Sequence, residues 1–519
     1  MGTRSPHPAL PLTTAEDTMR SHWLDASPAI RTSGSKGPYE WHDVVVAGAG
    51  LTGLTTAVLL ARAGKDVAVL EARSVGALAT GNTTGKISLL QGNVLSRIRE
   101  HQSDEMLRAY VEANQEGQAW LLRHLDEHDV PYQRRDAYTL ATTDDGVAAL
   151  RAELTAAQAA GLDVGWAQPT DLPFDITGAI RLADQAQINP MDVLQVLAEE
   201  LLDRNGLIVE GVRVTGLGPR QQEYLTVETS AGEVHTYHLV LATGVPVLDR
   251  GGHFATLSAH RSYAATYRLP AGLAPPHGMH LSIDAPDRTL RGVPTADGEE
   301  LLLVGGNDHL VGRPDSHAAA VDDLDAWVQQ HYPGARRTHT WSAQDYRSIH
   351  QIPLVGALPH SEERILSATG YAKWGMTNAV AAALAITAQI HDHTPRWAET
   401  LNAHTTSAAD VATGIKDNVL VGAQLATGWA SAELTSLPHE APLEGEGVVG
   451  QRHGRPLGVS TVDGTTCAVS AVCPHMGGIL RWNDAELSWD CPLHASRFAP
   501  DGTRLEGPAL HDLSRPREE

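Results

Sequence analysis

Between Asp43 and Leu70 the hydrophobic positions change period twice. In DVVVAG an unbroken apolar run follows Asp43 and ends in glycine, LTTAVLLARAG carries apolar residues at helical spacing, and KDVAVLE holds a second apolar run, VAVL, between charged ends. This order predicts strand, glycine-rich turn, helix and strand, one βαβ unit with buried parallel strands. From about Leu95 to His128 charged and apolar residues alternate at a helical period, and mixed segments continue to Gly161. Leu207 to Thr243 reads as a β-meander returning to the core.

From Arg261 to Val304, apolar and polar residues alternate with Pro and Gly punctuation. This predicts a second, more antiparallel sheet that could roof a substrate site. Leu366 to Gly370 is expected as a short strand and Asn378 to His391 as a strongly apolar helix. Short alternating stretches from Glu446 to Leu513 suggest a small β domain. No internal repeat at a solenoid period is visible.

The chain of 519 residues exceeds what one core usually supports. The expected division is a disordered tail over 1–40, rich in Pro, Ser, Thr and Ala, a large unit over 41–393, a linker over 394–442 and a small domain over 443–519. The tail lacks the basic start and apolar stretch of a secretory signal, and no apolar run reaches membrane-spanning length, so a cytoplasmic protein without a membrane span is expected. The net charge of −23 argues against nucleic-acid partners, which need clustered Lys and Arg.

The first chemical motif lies at the strand-to-helix turn. Gly48-Ala49-Gly50-Leu51-Thr52-Gly53 matches G-x-G-x-x-G, and Glu71, followed by Ala72 and Arg73, closes the second strand 18 residues after the last glycine. Gly48 permits a tight turn, Gly50 a close approach to a pyrophosphate and Gly53 close helix–strand packing. The helix N-terminus offers N–H groups to the anion, and Glu71 can accept hydrogen bonds from ribose hydroxyls.

Four segments then resemble the D-amino-acid-oxidase and glycine-oxidase-like superfamily of FAD enzymes. They are the fingerprint itself; Thr80-Gly81-Asn82-Thr83-Thr84-Gly85-Lys86, similar to that family's loop over the flavin; Leu241-Ala242-Thr243-Gly244, similar to its strand end near the cofactor; and Ala368-Thr369-Gly370-Tyr371-Ala372-Lys373-Trp374-Gly375-Met376-Thr377, similar to its late segment at the flavin ring. The resemblance implies an α/β Rossmann-like FAD-binding domain with an antiparallel-sheet substrate domain. It also implies cofactor contacts at Gly81, Thr83, Thr84, Lys86, Thr243, Gly244, Gly370, Lys373, Trp374, Gly375, Met376 and Thr377, with Val214 beside the adenine. Positions 74 to 92 contain no His or Cys, so non-covalent FAD is expected. A second G-x-G-x-x-G is absent, which favours an organic electron donor over a nicotinamide.

All three cysteines fall in the tail domain. Cys473-Pro474-His475 and Cys491-Pro492-Leu493-His494 form C-x-H-x15-C-x2-H, two loops that each supply a thiolate and an imidazole. Tetrahedral zinc is the competing metal, though its familiar spacings keep Cys pairs and His pairs together. The arrangement resembles the Rieske family, in which two Cys hold one iron of a 2Fe–2S cluster and two His hold the other. It implies a small all-β Rieske domain.

The disulfide cysteines of high-potential relatives would stand where Gly478 and Leu493 are, leaving Cys467 as a spare core thiol. Phe498 replaces a hydroxyl-bearing aromatic, while Ser496 keeps one hydroxyl. Fewer hydrogen bonds to sulfur put the expected potential at roughly −150 to +100 mV.

The two sites together suggest a dehydrogenase in which FAD takes two electrons from a small-molecule substrate, by family analogy an amine or amino acid. The cluster then passes them singly to an electron-acceptor protein or quinone-like acceptor. Reversed flow through a flavin reductase, and a redox carrier or sensor without turnover, are the alternatives. A Rieske oxygenase would need a two-His-one-carboxylate iron site, and no such set is evident. Tyr346, Arg347 and His350, in the run Asp345 to His350, are the candidate substrate contacts, with a salt-bridged loop as the alternative reading of that run. His124 and His128 are four apart on a predicted helix, with no third metal ligand evident and a solvated face expected.

Overall fold

In the computed structural model, which describes residues 19–34, 41–169, 171–219, 221–248, 253–404 and 408–516, the unbroken apolar runs become the middle of a parallel sheet. Strand Trp41–Ala47 is flanked in parallel by Val67–Glu71 and Gly232–Leu241, with Val44 opposite Val67 and Ala47 opposite both Leu70 and Leu241. Val44, Val45 and Val46 are fully buried because both faces of the sheet are covered, which is why they do not alternate with polar residues. Ile365–Thr369 continues the sheet beyond Gly232–Leu241, and Leu207–Glu210 beyond Val67–Glu71. The expected meander therefore divides. Leu207–Glu210 joins the parallel sheet, while Val214–Leu217, Leu225–Thr229 and Gly232–Leu241 pair antiparallel.

Helices Leu51–Arg62 and Gly375–Ile390 pack on each other, and Gly375–Ile390 also packs on Asp104–Glu127. At that last crossing the backbones nearly touch. A Cβ on Gly117 would stand 2.5 Å from the Thr377 carbonyl oxygen, so no larger residue fits there. The helical region from Leu95 to His128 is two helices, Val94–His101 and Asp104–Glu127, because Ser103 turns the chain and caps the second by accepting from Met106 N.

The roof sheet has nine strands, more than the expected 261–304 segment. Leu257–Arg268, Met279–Ser282, Arg288–Pro294 and Glu300–Leu310 form its middle. Arg336–Ser348 flanks it on one side, Gln133–Ala141 and Gly178–Gln187 on the other. Asp345 to Ser348 thus sits on an edge strand paired with Leu257–His260, not in a loop.

The expected tail over 1–40 is ordered where it is described. Ser21 caps the short helix His22–Ala26, and Trp23 is buried with its Nε1 donating to the Thr83 carbonyl at 2.7 Å. An apolar ring with a satisfied N–H anchors this segment, which composition alone could not reveal. The remainder of the expected tail, 1–18 and 35–40, lies outside the described residues. The 394–442 linker carries helices Arg396–Asn402 and Ala408–Leu434.

The C-terminal domain is all β, with a three-stranded sheet (Gly447–Arg452, Arg455–Val462, Thr465–Ser470) and a four-stranded one (Arg481–Asn483, Ser488–Asp490, Arg497–Phe498, Arg504–Glu506). Trp489 and Phe498 are fully buried between them. Cys467 lies half-buried on the third strand and does not join this core.

Candidate functional site

The fingerprint glycines are required by backbone contacts. Gly48 has φ +105°, and a Cβ there would lie 2.4 Å from the Ala242 carbonyl oxygen; a Cβ on Gly53 would lie 1.9 Å from the Gly48 oxygen. The helix that follows is N-capped by Gly50, which has no side chain to bond its N–H groups, so the turn can still face an anion. Leu51 N is met by Thr80 Oγ1 at 3.1 Å. Glu71 accepts from Ala49 N and Arg73 N, both at 2.8 Å, and burial pushes its carboxyl up. Each oxygen keeps one further lone pair for a ribose hydroxyl.

These residues open onto one cavity of about 1090 Å³. Gly48, Gly50, Leu51, Thr52, Glu71, Ala72, Arg73, Thr83, Thr84, Lys86, Val214, Thr243, Gly244, Gly370, Lys373, Trp374, Gly375 and Met376 line it, as do Tyr346 and Arg347. Ala49, Gly53, Gly81 and Thr377 do not. Gly81 packs under the loop, donating its N–H to Gly76 O, and Thr377 turns into a buried polar network through Asn114 Oδ1 at 2.6 Å. His350 also stays outside, its Nδ1 3.1 Å from Asp410. The glycine cradle, the glycine-capped helix and the acidic strand end fit a dinucleotide. Among the described lining residues there is no His or Cys to carry a covalent link.

The end of the cavity beneath the roof is charged. Asp308 gathers Lys373 Nζ at 3.0 Å, Arg347 Nη2 at 2.9 Å and His260 Nδ1 at 3.2 Å. Burial alone would raise its carboxyl, but the His260 hydrogen bond and the Lys373 and Arg347 charges hold it well below the usual range. Asp345 differs. Both its oxygens are buried without a hydrogen bond, Arg347 Nε is 3.7 Å away, and burial raises its carboxyl. Arg97 also faces the cavity, and among the described residues its side chain has no hydrogen bond or ion pair. Sequence reasoning missed Arg97, whose helical spacing gives no sign of what it faces.

Lys86 is fully buried beneath the same cavity, with its Nζ bonded to Thr289 and the His280 carbonyl; burial, with Arg291 nearby, pulls its ammonium down to about 7.

The C-terminal domain forms part of the cavity wall through Glu486, Arg497, Leu505, Glu506 and Gly507. Its two Cys/His loops meet at their tips. The His475 and His494 rings lie 5.1 Å apart at 88°, and the Cys473 and Cys491 sulfurs are in hydrogen-bond contact. That contact, helped by the Ser496 hydroxyl, brings the Cys473 thiol down to about 7 and pushes Cys491 up. A Cβ on Gly478 would stand 3.0 Å from Cys491 Sγ and 2.7 Å from Leu493 Cδ1, so the two loops close only with glycine there. Two thiols and two imidazoles converging in this way fit a 2Fe–2S cluster. Phe498 brings no hydroxyl to it, whereas Ser496 Oγ does.

Residues 43–389 match the profile of the family described as FAD dependent oxidoreductase, and residues 435–516 that of the Rieske [2Fe-2S] domain. The chain belongs to the FAD-dependent oxidoreductases. It is an oxidoreductase that binds FAD in its large unit and a 2Fe–2S cluster in its C-terminal Rieske domain. The Bacillus subtilis (strain 168) protein YhfW, provisionally named a Rieske 2Fe-2S iron-sulfur protein, is 29% identical over 481 residues, covering 91% of this chain and 93% of YhfW.

The structure is similar to glycine oxidase from Geobacillus kaustophilus, with TM-score 0.58, 17% identity, and 69% of this chain and 96% of that one covered. It is similar as well to L-proline dehydrogenase from P. horikoshii, with TM-score 0.58, 16% identity, and 69% and 95% covered. At such identities the likeness concerns the fold. With the Rieske match, the zinc reading of the Cys/His loops falls.

His128 is exposed as expected, but His124 is not. His124 is buried and stacked on Trp120, and Glu127 supplies a third possible ligand atom within 4.8 Å. Arg62 nonetheless lies 3.1 Å from His124 Nδ1 and pairs with Glu200, so this corner already holds a cation.

Proposed function

We propose that the protein is a dehydrogenase for a small amine or amino acid, with electrons leaving through the Rieske domain. FAD, when bound, would supply a two-electron hydride acceptor for a substrate C–H, and the cluster would supply a one-electron outlet to an external acceptor, a protein or a quinone-like molecule. The observation that carries this reading is the meeting, in one cavity, of an Arg97 guanidinium with no hydrogen bond or ion pair among the described residues and an Asp345 carboxylate that accepts no hydrogen bond, its Arg347 neighbour standing 3.7 Å away. Polar groups turned from bulk water without hydrogen bonds are costly, and a zwitterionic substrate would satisfy both.

In this reading Arg97 binds the substrate carboxylate. Asp345 accepts a proton from the substrate ammonium, leaving the neutral amine whose lone pair assists departure of the hydride. Asp308 fixes Lys373 and Arg347 along the wall, and Tyr346 and Arg347 contact the substrate. Glu71, Gly48, Gly50, Thr83, Thr84, Lys86, Val214, Gly244 and the segment from Gly370 to Met376 hold the non-covalent cofactor, and Cys473, His475, Cys491 and His494 hold the cluster.

A cytoplasmic location belongs to the proposal. It is supported by the absence of disulfides among the three cysteines, and among the described residues no helix is long and apolar enough to cross a membrane.

Anaerobic titration of the holoprotein with a panel of amines and amino acids, while the flavin absorption band is followed, tests this function. Bleaching by one chemical class supports it and names the substrate. A panel without effect, alongside rapid flavin reduction by a reduced ferredoxin, would reverse the direction of flow.

A further inference from the structure

Gln344 sits where the roof sheet meets the Rieske domain, and its amide is used on both sides. Its Oε1 accepts from Arg261 Nη2 at 2.9 Å; its Nε2 donates to Tyr346 Oη at 2.8 Å and to the Ala495 carbonyl at 3.3 Å. Arg261 is itself held by Glu486 and Asp490 of the Rieske domain, so an inverted amide would set N–H groups against the guanidinium. The orientation of Gln344 is therefore fixed.

On the flavin side the Tyr346 ring presses on the backbone at Gly244, where a Cβ would lie 3.1 Å from the ring, and both residues line the cavity. On the cluster side Ala495 directly follows His494, and its N–H donates to the Cys491 carbonyl at 3.0 Å. Bonds and hydrogen bonds thus run without a gap from the cavity wall to the second cluster loop.

We propose that Tyr346, Gln344 and the Ala495 peptide form a fixed hydrogen-bonded bridge that couples the flavin cavity to the iron–sulfur loops, with Gln344 as its positioning residue. The proposal rests on the electron flow given above and adds that the Rieske domain works from this docked position. Other contacts hold it there. Asp484 accepts from His317 N at 2.7 Å and Ala318 N at 3.0 Å, at the start of helix Ala318–His331, and Arg213 donates to the Arg504 carbonyl at 3.3 Å. Pro492 is buried against Gly312. Undocking would also open the cavity, because Glu486, Arg497 and Glu506 are part of its wall. Each crossing of the bridge carries one electron; no bond forms or breaks, and protons stay on the cavity side.

Flash photoreduction of the holoprotein, with flavin and cluster absorbance followed separately, reads the rate of exchange without needing a substrate. In Gln344→Leu and in Tyr346→Phe the exchange slows by at least about tenfold, the scale on which reaction geometry is felt, while the EPR g-values and midpoint potential of the cluster stay as in the parent. Exchange within about twofold of the parent in the folded variants overturns the bridge. Should Gln344→Leu fail to fold, Tyr346→Phe decides alone, since it deletes one hydroxyl. A parent protein with no exchange between the two cofactors would bring down the electron-flow reading together with the bridge.

Discussion

Arg261 Nη1 lies 2.9 Å from Asp490 Oδ2 across the boundary between the roof sheet and the Rieske domain, and neither side chain reaches solvent. Arg497 joins them, with Glu506 at 2.8 Å and Glu486 at 2.9 Å. Burial would raise the Asp490 carboxyl, yet the Arg261 and Arg497 guanidiniums hold it ionised far below the ordinary range. Two guanidiniums against three carboxylates form a closed network, so the two domains share one set of buried charges.

Removing one member of such a network leaves the others desolvated and uncompensated. Arg261→Met is expected to destabilise the holoprotein by about 3–5 kcal/mol, whereas Arg268→Met, which breaks an exposed pair with Glu299, costs about 1 kcal/mol or less. Thermal unfolding of the two variants side by side checks the contrast.

Glu153, which does not itself line the cavity, gives a pH dependence of stability. It accepts from Leu95 N at 3.2 Å and Ser96 N at 2.8 Å, and burial raises its carboxyl to about 7. The folded state then binds more protons than the unfolded one between roughly pH 4.5 and pH 7, so stability falls as pH rises through that window, by up to about 3 kcal/mol. Glu153→Gln removes this slope. Urea midpoints at pH 5 and pH 7.5 measure it.

In the substrate pocket, Arg97→Met should raise KM on the order of 10- to 100-fold, the loss of one charged hydrogen bond, with a smaller effect on kcat. Arg97→Lys recovers part of the affinity. Steady-state kinetics on the substrate named by the titration separates the two constants.

Asp345→Asn should lower kcat by about 10²- to 10⁴-fold, the usual contribution of a positioned base. Burial raises this carboxyl, so activity of the parent falls as pH drops through a value above the ordinary carboxylate range. The variant loses that acid limb. A pH–rate profile of both proteins decides it.

Local chemistry was legible in the chain. Gly48, Gly50 and Gly53 stand within one turn and the Cys/His pairs within two short loops, so spacing pointed to a dinucleotide turn and a metal site, and the family resemblances pointed to FAD and the cluster. Long-range contacts were not. Arg261 and Asp490 are 229 positions apart, and nothing near either one signals the other. Trp23 meets Thr83 across 60 positions, in a segment whose composition resembles disorder. Thr377 matched a flavin-contact motif but turns toward Asn114, because Gly117 lets a second helix approach its backbone. Asp345 stood out only as part of a polar run; that its oxygens accept no hydrogen bond depends on the roof strand that buries them.

Cys491→Ala and His475→Ala should each abolish the iron–sulfur absorption and EPR signals and leave the flavin spectrum in place, because the cradle from Gly48 to Glu71 lies in the other domain. Iron and flavin content of the purified variants check this.

The most direct test of the whole account is freeze-quench EPR of the holoprotein after anaerobic mixing with the substrate that bleaches its flavin. The account predicts that the reduced Rieske signal grows in as the flavin band falls, with both changes arising in a single chain. A fully bleached flavin beside a cluster that stays oxidised, although dithionite reduces it, would contradict it.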